Sequence, residues 1–112
     1  MCLIDKAENL RGKTIMRKFI QGTFELDYDV KDLISYEESH KAALKNIIDW
    51  SNDHEMSIMF GTSEDDTYLC EYDVICNTAA MCKGVVAELK HMLKSEFKKT
   101  KSVRQFSGNY LY

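Results

Sequence analysis

Eight apolar side chains between Met81 and Phe97 (Met81, Cys82, Val85, Val86, Leu89, Met92, Leu93 and Phe97) recur at the spacing of one helix face. A helix carrying so full a stripe has to lay it against another layer, so the rest of the chain must supply a sheet or a second helix. Asn77 is placed to cap this helix, which is predicted over about Thr78 to Lys98. Lys94, Lys98 and Lys99 stand near its end, where cations suit the negative pole of the helix dipole.

The other periodicity in the chain is two. Phe24, Leu26, Tyr28 and Val30 alternate with Thr23, Glu25, Asp27 and Asp29, so Thr14 to Val30 reads as a long half-buried strand, or a hairpin broken at Gln21-Gly22. Met16 and Ile20 share its even face. Ser35 followed by Glu38 matches a capping box, and Ala43, Leu44, Ile47 and Ile48 give the helix that follows, to about Asn52, an apolar stripe. Trp50 flanks the stripe as a lid on the core. Met56 to Phe60 is a short apolar strand, and Gly61 to Asp66 an acidic turn. Tyr68, Cys70, Tyr72 and Val74 alternate with Leu69, Glu71 and Asp73, a strand that closes a hairpin. Ser102 to Phe106 supplies a last strand, then a Ser107-Gly108-Asn109 turn and an aromatic tail, Tyr110-Leu111-Tyr112. In order this is β-α-β-β-α-β, the arrangement called ferredoxin-like: an α+β sandwich of an antiparallel sheet with two helices on one face.

With 112 residues the chain has the size of one domain, residues 1–112, in which 1–12 form a lead-in arm and 107–112 the tail. No stretch approaches the roughly 18 apolar residues that cross a bilayer, and the N-terminus lacks a secretory pattern. A soluble cytoplasmic protein with no membrane attachment is therefore expected. Cys2, Cys70, Cys76 and Cys82 are then reduced thiols rather than a disulfide framework.

The residues that would carry chemistry are missing from their usual patterns. The cysteines from Cys70 to Cys82 are six apart, too far for the paired ligands of a structural zinc site, so no metal is expected. The five glycines are isolated, which leaves no phosphate-cradling loop and no implied cofactor. Cys76 stands just before the second helix, where the dipole favours a thiolate, and is the one thiol to test for nucleophilic work, although buried packing is the better reading of it. Glu64, Asp65 and Asp66 lie in an open turn, not in the desolvated setting a catalytic acid requires. The sequence thus points away from an enzyme.

Charge is segregated along the chain. Between Glu25 and Asp73 there are 14 acidic residues against 3 lysines, whereas from Val74 onward 7 basic residues face 2 acidic ones. The basic third, with Phe106, Tyr110 and Tyr112 interleaved, admits a nucleic-acid binder that uses the second helix and tail. Against that reading, the strand from Tyr68 to Asp73 sets aromatics beside acids, which repel phosphate, and the pI near 5.6 is acidic overall. A protein-binding or regulatory module fits better. Its acidic surface, centred on Glu64, Asp65, Asp66, Glu71 and Asp73, would be presented to a basic partner protein. Self-association into a homo-oligomer would use Tyr68, Tyr72, Tyr110 and Tyr112, because tyrosine buries apolar area while keeping a hydroxyl for a partner. The parity of these tyrosines leaves core and interface both open. Small virus-encoded inhibitors often work through such an acidic surface, and short proline-free chains rich in Lys, Asp and Ile are common among phage proteins, which would place such a module among viral proteins. A small-ligand sensor or enzyme with its pocket between subunits is the remaining alternative.

Overall fold

The computed structural model describes residues 16–28 and 32–111. Six elements follow one another: β1 (Met16–Asp27), α1 (Leu33–Asn52), β2 (Met56–Thr62), β3 (Tyr68–Cys76), α2 (Ala79–Glu96) and β4 (Lys99–Leu111). The strands form one antiparallel sheet in the order β2-β3-β1-β4. Both helices lie on one face of it, as the β-α-β-β-α-β pattern of a ferredoxin-like domain requires.

Alternation decides which side chains enter the core. On β1, Ile20, Phe24 and Leu26 face the helices; on β3, Tyr68, Cys70, Tyr72, Val74 and Cys76 do. The stripe of α2 closes on them through Cys82, Val86, Leu89 and Leu93, and α1 adds Tyr36, Leu44 and Ile47. Gly22 also lies on this face, and the ring of Tyr72 occupies the space its side chain would have taken. The glycine therefore marks a close approach inside a continuous strand, which bears out the long-strand reading and not the hairpin alternative. The irregularity of β1 comes one residue later, where its pairing with β4 shifts between Thr23 and Phe24.

Aromatic packing ties the two helices together at one end. Tyr36 stacks on His40 at 4.2 Å and on Phe97 at 5.1 Å, and its hydroxyl donates to the Glu96 carbonyl. His40 Nδ1 lies 3.0 Å from Glu96 Oε1, and the backbone of α1 bends at His40 (φ −111°, ψ 15°). Trp50 is half-buried against the core and leans on His54.

The caps sit one to three residues from their expected places. Asp32, not Ser35, caps α1 by accepting from the Ser35 amide at 2.8 Å, so the helix begins earlier than the capping box implied. Thr78, not Asn77, caps α2, its hydroxyl accepting from the Met81 amide at 3.1 Å. Thr78→Ala is expected to cost about 1 kcal/mol in urea unfolding, with Asn77→Ala near neutral.

The largest departure is β4. The expected Ser107-Gly108-Asn109 turn does not form; the strand runs through it to Leu111 and pairs with β1 along its length. Gly108 faces Phe19, and a Cβ there would stand 3.0 Å from the ring, so this glycine makes room for an aromatic neighbour rather than reversing the chain. The expected lead-in arm (1–12) and Tyr112 fall outside the described residues.

Burial has a consequence for pH. It pushes the thiol of Cys70 up from its ordinary 9.0 to about 12 and also raises Tyr68, Tyr72 and Cys76. Each group holds its proton more tightly folded than unfolded. Each therefore contributes stability that is complete below its unfolded pKa and is lost as pH rises through the window above it. Stability is expected to fall from about pH 9 upward, with Cys70 contributing up to ~1.4 kcal/mol per pH unit until about pH 12. Urea unfolding at neutral and alkaline pH checks this; a Cys70→Ala chain, weaker at neutral pH, should lose stability less steeply.

Candidate functional site

The five acidic residues singled out in the sequence fall on two surfaces. Glu64, Asp65 and Asp66 are exposed at the turn joining β2 to β3. Ser63 organises that turn: its hydroxyl accepts from the Asp65 amide at 3.3 Å and the Thr67 amide at 3.2 Å, and its own amide donates to the Thr67 carbonyl at 2.8 Å. Asp66 adopts a left-handed backbone (φ 62°), which Asp and Asn tolerate better than most residues. Among the described residues no ion pair reaches these three carboxylates.

Glu71 and Asp73 project instead from the face of the sheet opposite the helices, the parity being set by the buried Cys70, Tyr72 and Val74 between and beside them. Asp73 accepts from Gln21 Nε2 at 3.2 Å on the neighbouring strand. No described element covers this face. Ser57 and Met59 of β2, Gln21 and Thr23 of β1, and Arg104 and Phe106 of β4 share it with the two acids, around a hollow of about 310 Å³.

The tyrosines divide differently. Tyr68 (2% exposed) and Tyr72 (3%) lie in the core, which settles the parity left open in the sequence. Tyr68 stacks with Phe60, meets Phe97 and Tyr28, and donates to Glu37 at 3.0 Å. Tyr72 stacks on Phe24 at 5.1 Å and accepts from Gln105. Neither ring is presented to a second copy or to a nucleic-acid base. Tyr110 falls in β4 opposite Arg17, and Tyr112 lies outside the described residues.

Cys76 is buried, in keeping with a packing role. Burial and its contact with the Cys82 thiol raise its pKa, which works against a thiolate. The Cys82 thiol donates to the Lys18 carbonyl at 3.4 Å. Among the described residues, no three His, Cys, Asp or Glu side chains gather as a metal site, and no helix is long and apolar enough to cross a membrane.

Folding also mixes some of the charge that the sequence segregates. The register of β1 with β4 sets Lys101 opposite Glu25 and Lys99 opposite Asp27, opposite-charge pairs across two strands. The sequence does not show that Met59 (67% exposed), Arg104 and Phe106 (57% exposed) share the open face with the acids. Met59 sits in an apolar run and would pass for core. The shift between Thr23 and Phe24 hides which residues of β4 share a face with which residues of β1.

No protein-family model matches the chain, and no curated protein matches it. Among solved structures it is similar to LarC2, the C-terminal domain of a cyclometallase involved in the synthesis of the NPN cofactor of lactate racemase, in its apo form. The likeness covers 89% of this chain and 58% of that one, at 11% identity. Its TM-score of 0.41 is too low to carry an argument about function.

Proposed function

We propose that this chain is a small protein-binding module with a regulatory role of the inhibitor type, which presents an acidic surface to a basic partner protein. The surface is centred on Glu64, Asp65 and Asp66, with Glu71 and Asp73 farther along the same hairpin. What supports the reading is the setting of the turn: three consecutive carboxylates, exposed, ordered by Ser63 and not ion-paired to any described residue. Carboxylates held in place and left without a cation attract a basic surface over a distance of about a Debye length, so they raise the association rate as well as fixing orientation.

The test is a pull-down from the native host with tagged wild-type chain at low and high salt, the captured protein then being titrated against a Glu64→Lys, Asp65→Lys, Asp66→Asn variant. Asparagine is used at 66 because lysine would strain the left-handed backbone there. Weakening of about tenfold or more, with a shallower salt dependence, is the expected result. An unchanged affinity for the same partner sinks the reading.

A further inference from the structure

Across the open face of the sheet the cross-strand register lays out a row: Met59 pairs with Glu71, Glu71 with Thr23, and Thr23 with Arg104. The next row runs Ser57, Asp73, Gln21, Phe106. Acid thus stands on β3 and base on β4, with small or neutral side chains between them on β1. Glu71 and Arg104 are both exposed, and no ion pair among the described residues involves either one. Two large apolar side chains, Met59 and Phe106, stand on the same face.

We propose that this face is a dimer interface, on which a second copy of the chain packs sheet to sheet about a two-fold axis running along β1. The argument is one of symmetry. Half a turn about that axis exchanges the β3 side of the face with the β4 side and leaves the position along the strand unchanged. Because Glu71 and Arg104 flank the same residue, Thr23, each Arg104 then arrives over the other copy's Glu71, and the contact is made twice. The same rotation carries Phe106 over the other copy's Asp73, in the row next to the ion pair, so its ring is covered beside that pair. A face bearing only the acids would repel its own copy; the base on β4 makes the face complementary to itself. Sheets packed face to face keep their strand directions within about 30° of each other, and this axis keeps the two copies of β1 aligned. The inference goes beyond the proposed function: of the five acidic residues it draws Glu71 and Asp73 into the contact between copies and leaves the Glu64-Asp65-Asp66 turn free for another protein.

Charge reversal tests it. Wild-type chain should sediment at twice its 13.0 kDa mass and dissociate as salt is raised. Glu71→Arg sets arginine against arginine twice, and Arg104→Glu sets carboxylate against carboxylate twice. Each variant is expected to dimerise about a hundredfold or more weakly than wild type. An equimolar mixture of the two should regain a mass of two chains, because each then supplies the charges the other lacks. Unchanged far-UV circular dichroism and urea midpoint, measured where the variants are monomeric, show that they remain folded. The Glu64→Lys, Asp65→Lys, Asp66→Asn chain should dimerise as wild type does, which separates this result from the fate of the acidic turn. A wild-type chain that stays monomeric, single variants that still dimerise, or a mixture that stays monomeric overturns the proposal.

Discussion

Tyr68→Ala is expected to lose about 3–5 kcal/mol of folding stability, the range found when a large ring is removed from a packed core. That is a large share of the ~5–15 kcal/mol available to a domain of this kind. Tyr68 is 2% exposed, and its ring touches side chains from three other places in the fold: Phe60 on β2, Phe97 after α2 and Tyr28 after β1. Removing it opens a cavity between layers that cannot collapse around a single neighbour. Tyr68→Phe keeps the ring and loses one hydrogen bond, to Glu37, for about 1 kcal/mol. Urea unfolding of the two variants separates packing from the hydroxyl. If Tyr68→Ala unfolds like wild type and merely fails to self-associate, the core placement of this residue is wrong.

Gly22→Ala is expected to cost about 3 kcal/mol, at the upper end of what overpacking does, and Gly22→Val more. An added Cβ would stand 2.3 Å from the Tyr72 hydroxyl oxygen and 2.5 Å from the Arg104 carbonyl oxygen. Tyr72 is held by its stack on Phe24 and by Gln105, and the carbonyl belongs to the backbone of β4, so neither can simply swing away. A double-mutant cycle apportions the clash. Tyr72→Phe removes the nearer oxygen, so the pair Gly22→Ala with Tyr72→Phe should be less destabilised than the sum of the single changes. What persists reports the carbonyl together with the ring carbon Cζ of residue 72, which would stand 2.6 Å from the same Cβ. Strict additivity would mean that the hydroxyl is not the obstacle.

The parts of the architecture that the sequence disclosed are those whose periodicity is long and uninterrupted. The stripe of α2 and the alternation of β1 and β3 gave both element type and order, because a face buried along its whole length leaves a regular imprint. Residues serving a cross-strand neighbour were harder to read. Gly22 and Gly108 look like chain breaks in one dimension, yet each lies inside a strand and yields space to an aromatic ring on the adjacent one. The caps were missed by small steps, since Asp32 and Ser35, like Asn77 and Thr78, offer similar side-chain oxygens. At the candidate site, the turn carboxylates were legible as polar turn residues. That Arg104 and Phe106 share the open face was not, because the register shift between Thr23 and Phe24 decides which face β4 shows, and nothing local encodes it.

The central position of β1 bears on how the chain folds. Its two partners are β3 and β4, and the second pairing joins Leu26 to Thr100 and Met16 to Leu111, nearly the two ends of the described chain. During synthesis from the N-terminus, β1 leaves the ribosome first and its outer partner last. Until β4 emerges, one edge of β1 has no strand to pair with. Contacts of such long sequence separation make loop closure the slow step, so folding should be slower than that of a helical bundle of the same length. A nascent chain halted before Lys99 lacks that edge partner altogether and should depend on chaperones, whereas emergence of β4 lets the sheet close.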